Sequence, residues 1–240
     1  MVSVRAFLAA TVLCAASSGV VASPVVESDG ETEARFSPAR FSPAGRDAVL
    51  DAPLSLRDGK GPIAIRCAAQ IFDNGNSGDL FCYPEAERRL LVRNLGRRIV
   101  RVLEGKPFVP ARVDDQPVWA WFNFSVVIFE ADGETHIRLL PHHGANVEHL
   151  GTADYVGAQR YTFPQWSCGR ASRISRSSVV MGAAIIDREG RPRGVNVTAA
   201  QVRPRCVDRI EGVLEQSAYI PVHLDGEPVD GYYLEAFYGL

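Results

Sequence analysis

Four of the five histidines fall within one short stretch, HIRLLPHHGANVEH: His136, His142, His143 and His149, with Glu148 beside the last. Imidazole nitrogens and a carboxylate are ligands for zinc or another late transition metal. A central His-His pair with five residues on either side matches no metal motif, and the surrounding residues read as a connector. The pattern therefore predicts solvated loop histidines. A metal-dependent or hydrolytic enzyme using this cluster, centred on His142 and His143, is the alternative. Ser177 and Ser178 offer neither a nucleophile elbow nor a triad order with these histidines. Neither a Gly-rich phosphate loop nor an H-E-x-x-H pair occurs. The residues thus predict a non-catalytic protein that uses no cofactor and no resident metal.

The cysteines carry a different chemistry. Residues 1–22 have the pattern of a secretory signal: Arg5 in a short n-region, an apolar run from Ala6 to Ala16, and the small-residue exit Val20-Val21-Ala22. The run is short for a membrane span. Cys14 lacks the small residue that a lipobox places directly before it. The expected mature chain is exported to the periplasm after cleavage near Ala22, with an uncleaved N-terminal anchor as the other possibility. It retains Cys67, Cys82, Cys168 and Cys206, an even number that favours disulfides in an oxidising compartment. Cys67 and Cys82 flank the turn signal DNGNSGD (73–79) and would face each other across a hairpin. Cys168–Cys206 follows by elimination.

The formal net charge of −2 implies neither nucleic acid nor an anionic membrane as partner. Arg outnumbers Lys 24 to 2, which reads as GC-rich codon usage and a bacterial source. The sequences NFS (123–125) and NVT (196–198) match the glycosylation pattern but fall within predicted strands.

The elements that hold these residues repeat. Residues 23–57 lack apolar periodicity, contain a tandem ARFSP at 34–38 and 39–43, and predict a disordered arm. PIAIRCAAQIF (62–72) and LFCYP (80–84) predict a hairpin. EAERRLLVRNLGRRIVRVLEG places Leu91, Leu95, Ile99 and Val102/Leu103 on one helical face, with Gly105 as the C-cap. The phrase FVPARVDDQPV (108–118) leads into the strand VWAWFNFSVVIFEA (118–131). The order then recurs: SVVMGAAIID (178–187), a turn, VNVTAA (195–200), a helix over 203–216, the phrase YIPVHLDGEPV (219–229) and a last strand in VDGYYLEAFYGL. At an offset of 111, Arg98/Arg209, Ile99/Ile210, Leu103/Leu214, Phe108/Tyr219, Pro110/Pro221, Asp114/Asp225, Pro117/Pro228 and Val118/Val229 align without a gap. The hairpins need an insertion of about three residues, placed in the turn.

A hairpin, an amphipathic helix, the phrase (F/Y)-x-P and D-G-x-P-V, and an alternating strand resemble the C-terminal domain of TonB-family energy transducers. Asp115 stands where that family favours Gly, and Val222 where it favours Ala. The resemblance implies an α+β fold of two tandem β-β-α-β modules, each a small antiparallel sheet packed on one helix. Their bounds are 58–132 and 178–240, with 133–177 as linker. It also implies an envelope protein or extended peptide as partner, taken by strand addition at a sheet edge. The candidate edge is the last strand: Tyr232, Tyr233, Leu234, Glu235, Ala236, Phe237 and Tyr238. That strand could equally pair with 118–131 and leave no edge open, in which case the role is purely structural.

Overall fold

The computed structural model describes residues 35–56, 62–83, 89–143, 154–162, 179–198 and 204–238, all within one compact unit, Glu33–Leu240. The fold is α+β. Two short strands, β1 (Phe36–Ser37) and β2 (Arg40–Phe41), lead into helix α1 (Pro43–Leu50). β3 (Ile63–Ile71) and β4 (Ser77–Tyr83) form a hairpin, and α2 (Arg89–Leu103) follows. Then come β5 (Phe108–Val109), β6 (Ala111–Val113), β7 (Gln116–Val118), β8 (Ala120–Ala131), β9 (Glu134–Leu140), β10 (Tyr155–Val156) and β11 (Gln159–Arg160). The chain continues through β12 (Val179–Ile186), β13 (Pro192–Thr198), α3 (Pro204–Gln216), β14 (Tyr219–Ile220), β15 (Val222–Leu224), β16 (Glu227–Val229) and β17 (Gly231–Tyr238). Among the described residues, no helix is long and apolar enough to cross a membrane.

The antiparallel order β4-β3-β8 recurs as β13-β12-β17. β3 runs against β8 from Ile63↔Ile128 to Ile71↔Ala120, and β12 against β17 from Val179↔Tyr238 to Ile186↔Gly231. Each sheet buries one face under its helix. Val92, Leu95, Ile99 and Leu103 of α2 pack with Ile65, Cys67, Ile71, Phe122 and Phe124. Ile210 and Leu214 of α3 pack with Val180, Ala184, Ile186, Tyr233 and Phe237. Each fully buried Leu, Ile or Phe contributes about 1.5–3 kcal/mol over leaving it exposed. α2 lies so close to β4 that a Cβ on Gly96 would sit 2.8 Å from the Cβ of Cys82, which explains a glycine in the middle of a helix.

Glycine also fixes how each hairpin meets its phrase. Gly75 and Gly190 close the β3–β4 and β12–β13 turns with φ of 80° and 78°. Their carbonyls accept the N–H of Phe108 at 2.7 Å and of Tyr219 at 3.2 Å. A Cβ at either position would collide with the carbonyl oxygen of the same Phe108 or Tyr219. The phrases themselves fold into the hairpins β6–β7 and β15–β16. Their tips, Asp114-Asp115 and Asp225-Gly226, have positive φ throughout, the geometry of a two-residue turn whose twist suits the strands.

Two expectations change. Residues 35–56, read as part of a disordered arm, are ordered. Ala39 and Val49 are fully buried, and the Ser42 hydroxyl caps α1 by accepting the Gly45 N–H at 3.1 Å, with Pro43 in the first turn. Local composition signalled disorder, whereas the order comes from partners distant in sequence. The stretch 133–177, read as a linker, carries β9, β10 and β11 among its described residues. β9 extends β8 into a hairpin through Asp132-Gly133, again with positive φ (54° and 79°).

Candidate functional site

Among the described residues, the His group forms no metal-binding cluster. His136 lies on β9, exposed, with its ring stacked on Phe129 at 5.4 Å. His142 and His143 are buried beneath the face of β8, which corrects the expectation of solvated loop histidines. His143 Nε2 lies 2.7 Å from the Cys67 carbonyl and 2.9 Å from that of Phe124. Two carbonyl acceptors there call for a proton on Nε2 in the neutral ring, and the Tyr83 hydroxyl lies 3.3 Å from both ring nitrogens. The His142 carbonyl accepts the Ser125 hydroxyl at 2.9 Å, and its ring meets Tyr155 edge-on at 4.7 Å. Burial lowers the pKa of both rings to about 4. These histidines are packed as neutral groups, His143 positioned by backbone oxygens that leave no mark in the sequence. His149 and Glu148 lie outside the described residues, as do Ser177 and Ser178. Among the described residues, no group of three His, Cys, Asp or Glu could hold a metal ion. His142 also lines a cleft of about 510 Å³ between α1, β9 and β10, whose charged rim is Arg40, Arg46, Arg138 and Asp154.

Cys67 and Cys82 form a disulfide between register partners on β3 and β4. Cys206 is disulfide-bonded and buried on α3, while its expected partner, Cys168, lies outside the described residues. Asn123 of NFS is buried on β8, and Asn196 of NVT is exposed on β13.

Strand addition occurs twice within the chain itself. Residues 36–41, which carry most of the tandem ARFSP, pair antiparallel with the first phrase: Phe36↔Val113, Ser37↔Arg112, Arg40↔Val109 and Phe41↔Phe108. Residues 155–160 pair with the second phrase in the equivalent register: Tyr155↔Leu224, Val156↔His223, Gln159↔Ile220 and Arg160↔Tyr219. We refer to 35–41 and 154–160 as the first and second arms, and to the phrase edges that receive them as grooves. The two arms lie side by side. The Gln159 amide donates to the Ala39 carbonyl and accepts the Ala39 N–H, both at 2.8 Å, and Arg40 pairs with Asp154 at 2.8 Å. The second arm also pairs with β8, Arg160 opposite Trp121, and so joins the start of the second phrase, β14, to the sheet of β8.

The last residue of each arm enters the core, and here the two grooves differ. Phe41 meets Phe108, Phe122 and Phe124 at ring-centroid distances of 5.4, 5.1 and 5.0 Å. Arg160 instead makes a two-pronged ion pair with Glu235, Nη2 to Oε1 at 2.7 Å and Nε to Oε2 at 2.9 Å. The Tyr233 hydroxyl donates to the same carboxylate, and Tyr219 stands edge-on to Tyr233 at 5.0 Å. Burial opposes the charge on Arg160, but the Glu235 carboxylate outweighs it and raises the guanidinium pKa. Burial and then Glu235 hold the Tyr233 phenol far above its ordinary value, so it stays a donor.

No protein-family model, no curated protein and no solved structure matches this chain.

Of the seven residues expected to bind a partner, Tyr233, Glu235, Ala236 and Phe237 point into packed surroundings, and Leu234 is half-buried. Tyr232 alone of the described side chains is well exposed, at 66 %, beside its register partner Ile185 at 43 %. The strand does not pair with 118–131. Its one neighbour among the described strands is β12, whereas β8 has β3 on one side and β9 and β11 on the other. The arms and the Arg160 network escaped sequence reasoning. The one usable signal was an aromatic followed by Ala three residues on, Phe36/Ala39 and Tyr155/Ala158.

Proposed function

We propose that this chain is an exported, non-catalytic interaction protein of the cell envelope, built from two tandem TonB-C-like β-β-α-β modules, which takes an extended peptide or protein segment along the outer edge of β17. The observation that carries this reading is the asymmetry, among the described strands, between β8, flanked on both sides, and β17, flanked on one. An unpaired strand normally carries a guard. β13 has Pro192 and Arg193, and both β3–β4 and β12–β13 contain register shifts. β17 runs GYYLEAFY with no register shift against β12, and its one charged residue, Glu235, is turned inward to Arg160. Backbone hydrogen bonds would supply affinity. Tyr232 and Ile185, exposed beside the edge, would receive alternate apolar side chains of the partner. A purely structural role predicts that every edge is covered, and among the described strands none covers this one.

Panning a displayed library of extended peptides against the mature chain tests the reading, with amide exchange measured across 231–238. A selected peptide slows exchange there, and Tyr232→Lys weakens its binding by about tenfold. Peptides that leave exchange at 231–238 unchanged and tolerate Tyr232→Lys discard the proposal.

A further inference from the structure

The two arms present a recognition problem that the backbone does not solve. Both run antiparallel to their grooves in the same register, both have an aromatic as second residue, Phe36 and Tyr155, and both bury an alanine, Ala39 and Ala158. They lie in contact through Gln159 and Ala39. Within one chain each arm meets either groove at high effective concentration. Four arm–groove combinations are therefore open to the folding chain, and only two are native. The main-chain hydrogen bonds of all four are alike.

The side chains at the inner end of each arm are not alike. Position 41 is Phe, facing Phe122 and Phe124, and the corresponding position 160 is Arg, facing Tyr233 and Glu235. The first groove demonstrates that apolar rings fill this place in the fold. Apolar replacement of a buried ion pair is commonly neutral or stabilising, so the ionic set is not required for stability. It does penalise both wrong combinations. Arg160 in the first groove would be a buried cation among phenyl rings. Phe41 in the second would leave the Glu235 carboxylate buried without its partner.

We propose that Arg160 and Glu235 are specificity determinants that make the second groove accept the second arm and reject the first. The chain discriminates by the cost of the mismatch rather than by the quality of the match. This inference is independent of what binds β17.

Refolding of the mature, oxidised chain tests it. A brief unfolding pulse keeps the prolines in their native isomers and removes that source of slow phases. Arg160→Phe/Tyr233→Phe/Glu235→Phe makes both grooves apolar. The expected result is a thermal midpoint equal to or above that of the parent, together with a slow refolding phase of several-fold larger amplitude, from arms that must leave the wrong groove. Phe41→Arg/Phe124→Glu makes both grooves ionic and should give the same slow phase. Exchanging the sets, Phe41→Arg/Phe124→Glu/Arg160→Phe/Glu235→Phe, should remove it, because the grooves differ again. If the all-Phe variant refolds with the parent's amplitudes, the proposal fails, and that variant decides alone should the ionic one not fold. A slow phase that persists in the exchanged variant also overturns it, since the effect would then belong to local packing.

Discussion

The Asp225 carboxylate accepts the backbone N–H of Asp154 at 3.1 Å, while the Asp154 carbonyl accepts the N–H of Asp225 at 2.8 Å. Asp114 and Arg35 make the same reciprocal pair at 3.0 and 2.9 Å. One side chain thus starts the zipper between arm and groove, and it explains why Asp stands in both copies of the phrase. Asp225→Ala removes the acceptor and places Ala at a φ of 52°, so it should lower stability by about 1–2 kcal/mol. Asp225→Asn keeps the oxygen and tolerates the backbone, and should cost well under half of that. Urea midpoints at constant m-value read the difference.

The next residue differs between copies. Asp115 adopts a φ of 63° where Gly226 adopts 90°. Gly is the unstrained residue there. The Arg35–Asp115 ion pair, 3.7 Å long and three-quarters exposed, offsets little of the strain. The Arg112 guanidinium bonds the Asp115 carbonyl, which a glycine retains. Asp115→Gly should therefore raise stability by up to about 1 kcal/mol, and Gly226→Ala should lower it by about 1 kcal/mol. Thermal unfolding resolves both changes.

What the sequence displayed follows from the range of each interaction. Helices α2 and α3 were legible because Leu95, Ile99, Ile210 and Leu214 repeat at helical spacing. The phrase was legible because Asp-Asp and Asp-Gly turns are decided by neighbouring residues. β9 had a signal too, Asp132-Gly133 between alternating segments, but the histidines beyond it read as part of a solvated connector. The arms had almost none. β1 and β2 are two residues each, and they are ordered by pairing with residues 108–113, far along the chain. The burial of His142 and His143 was equally hidden, since PHHG looks like a loop and the partners of the His143 ring are main-chain carbonyls of Cys67 and Phe124.

Gly96 offers a test of close packing set against helix propensity. Alanine is the better helix former by about 1 kcal/mol. A Cβ at 96 would nevertheless press on the Cβ of Cys82 at 2.8 Å, and overpacking commonly costs about 1–3 kcal/mol. Gly96→Ala should therefore destabilise by about 1 kcal/mol, and by no more than about 2 kcal/mol. The penalty should persist in a Cys67→Ala/Cys82→Ala background, because the contact is with carbon and not with the sulfur. That background alone should lose about 3 kcal/mol, as expected for a disulfide closing a loop of 15 residues. Urea unfolding of the single variant, the cysteine-free variant and their combination completes the cycle.

Stability should fall in mild acid, and the buried histidines set the window. In the folded chain His142 and His143 stay neutral down to about pH 4, whereas in the unfolded chain each titrates near pH 6.5. Between these values the unfolded state binds more protons, so stability declines as pH drops from about 6.5 to 4 and levels off below that. A tenfold difference in proton affinity between the two states is worth about 1.4 kcal/mol, so each histidine accounts for a loss on the order of 3 kcal/mol across the window. The upper half of the window isolates the effect, because ordinary carboxylates are still ionised there. His143→Gln keeps an N–H for the Cys67 and Phe124 carbonyls and removes one titrating group. It should therefore flatten the decline between pH 6.5 and 5 to about half. Thermal midpoints across that range provide the check, and an unchanged slope in the variant would mean that His143 is protonated in the native chain.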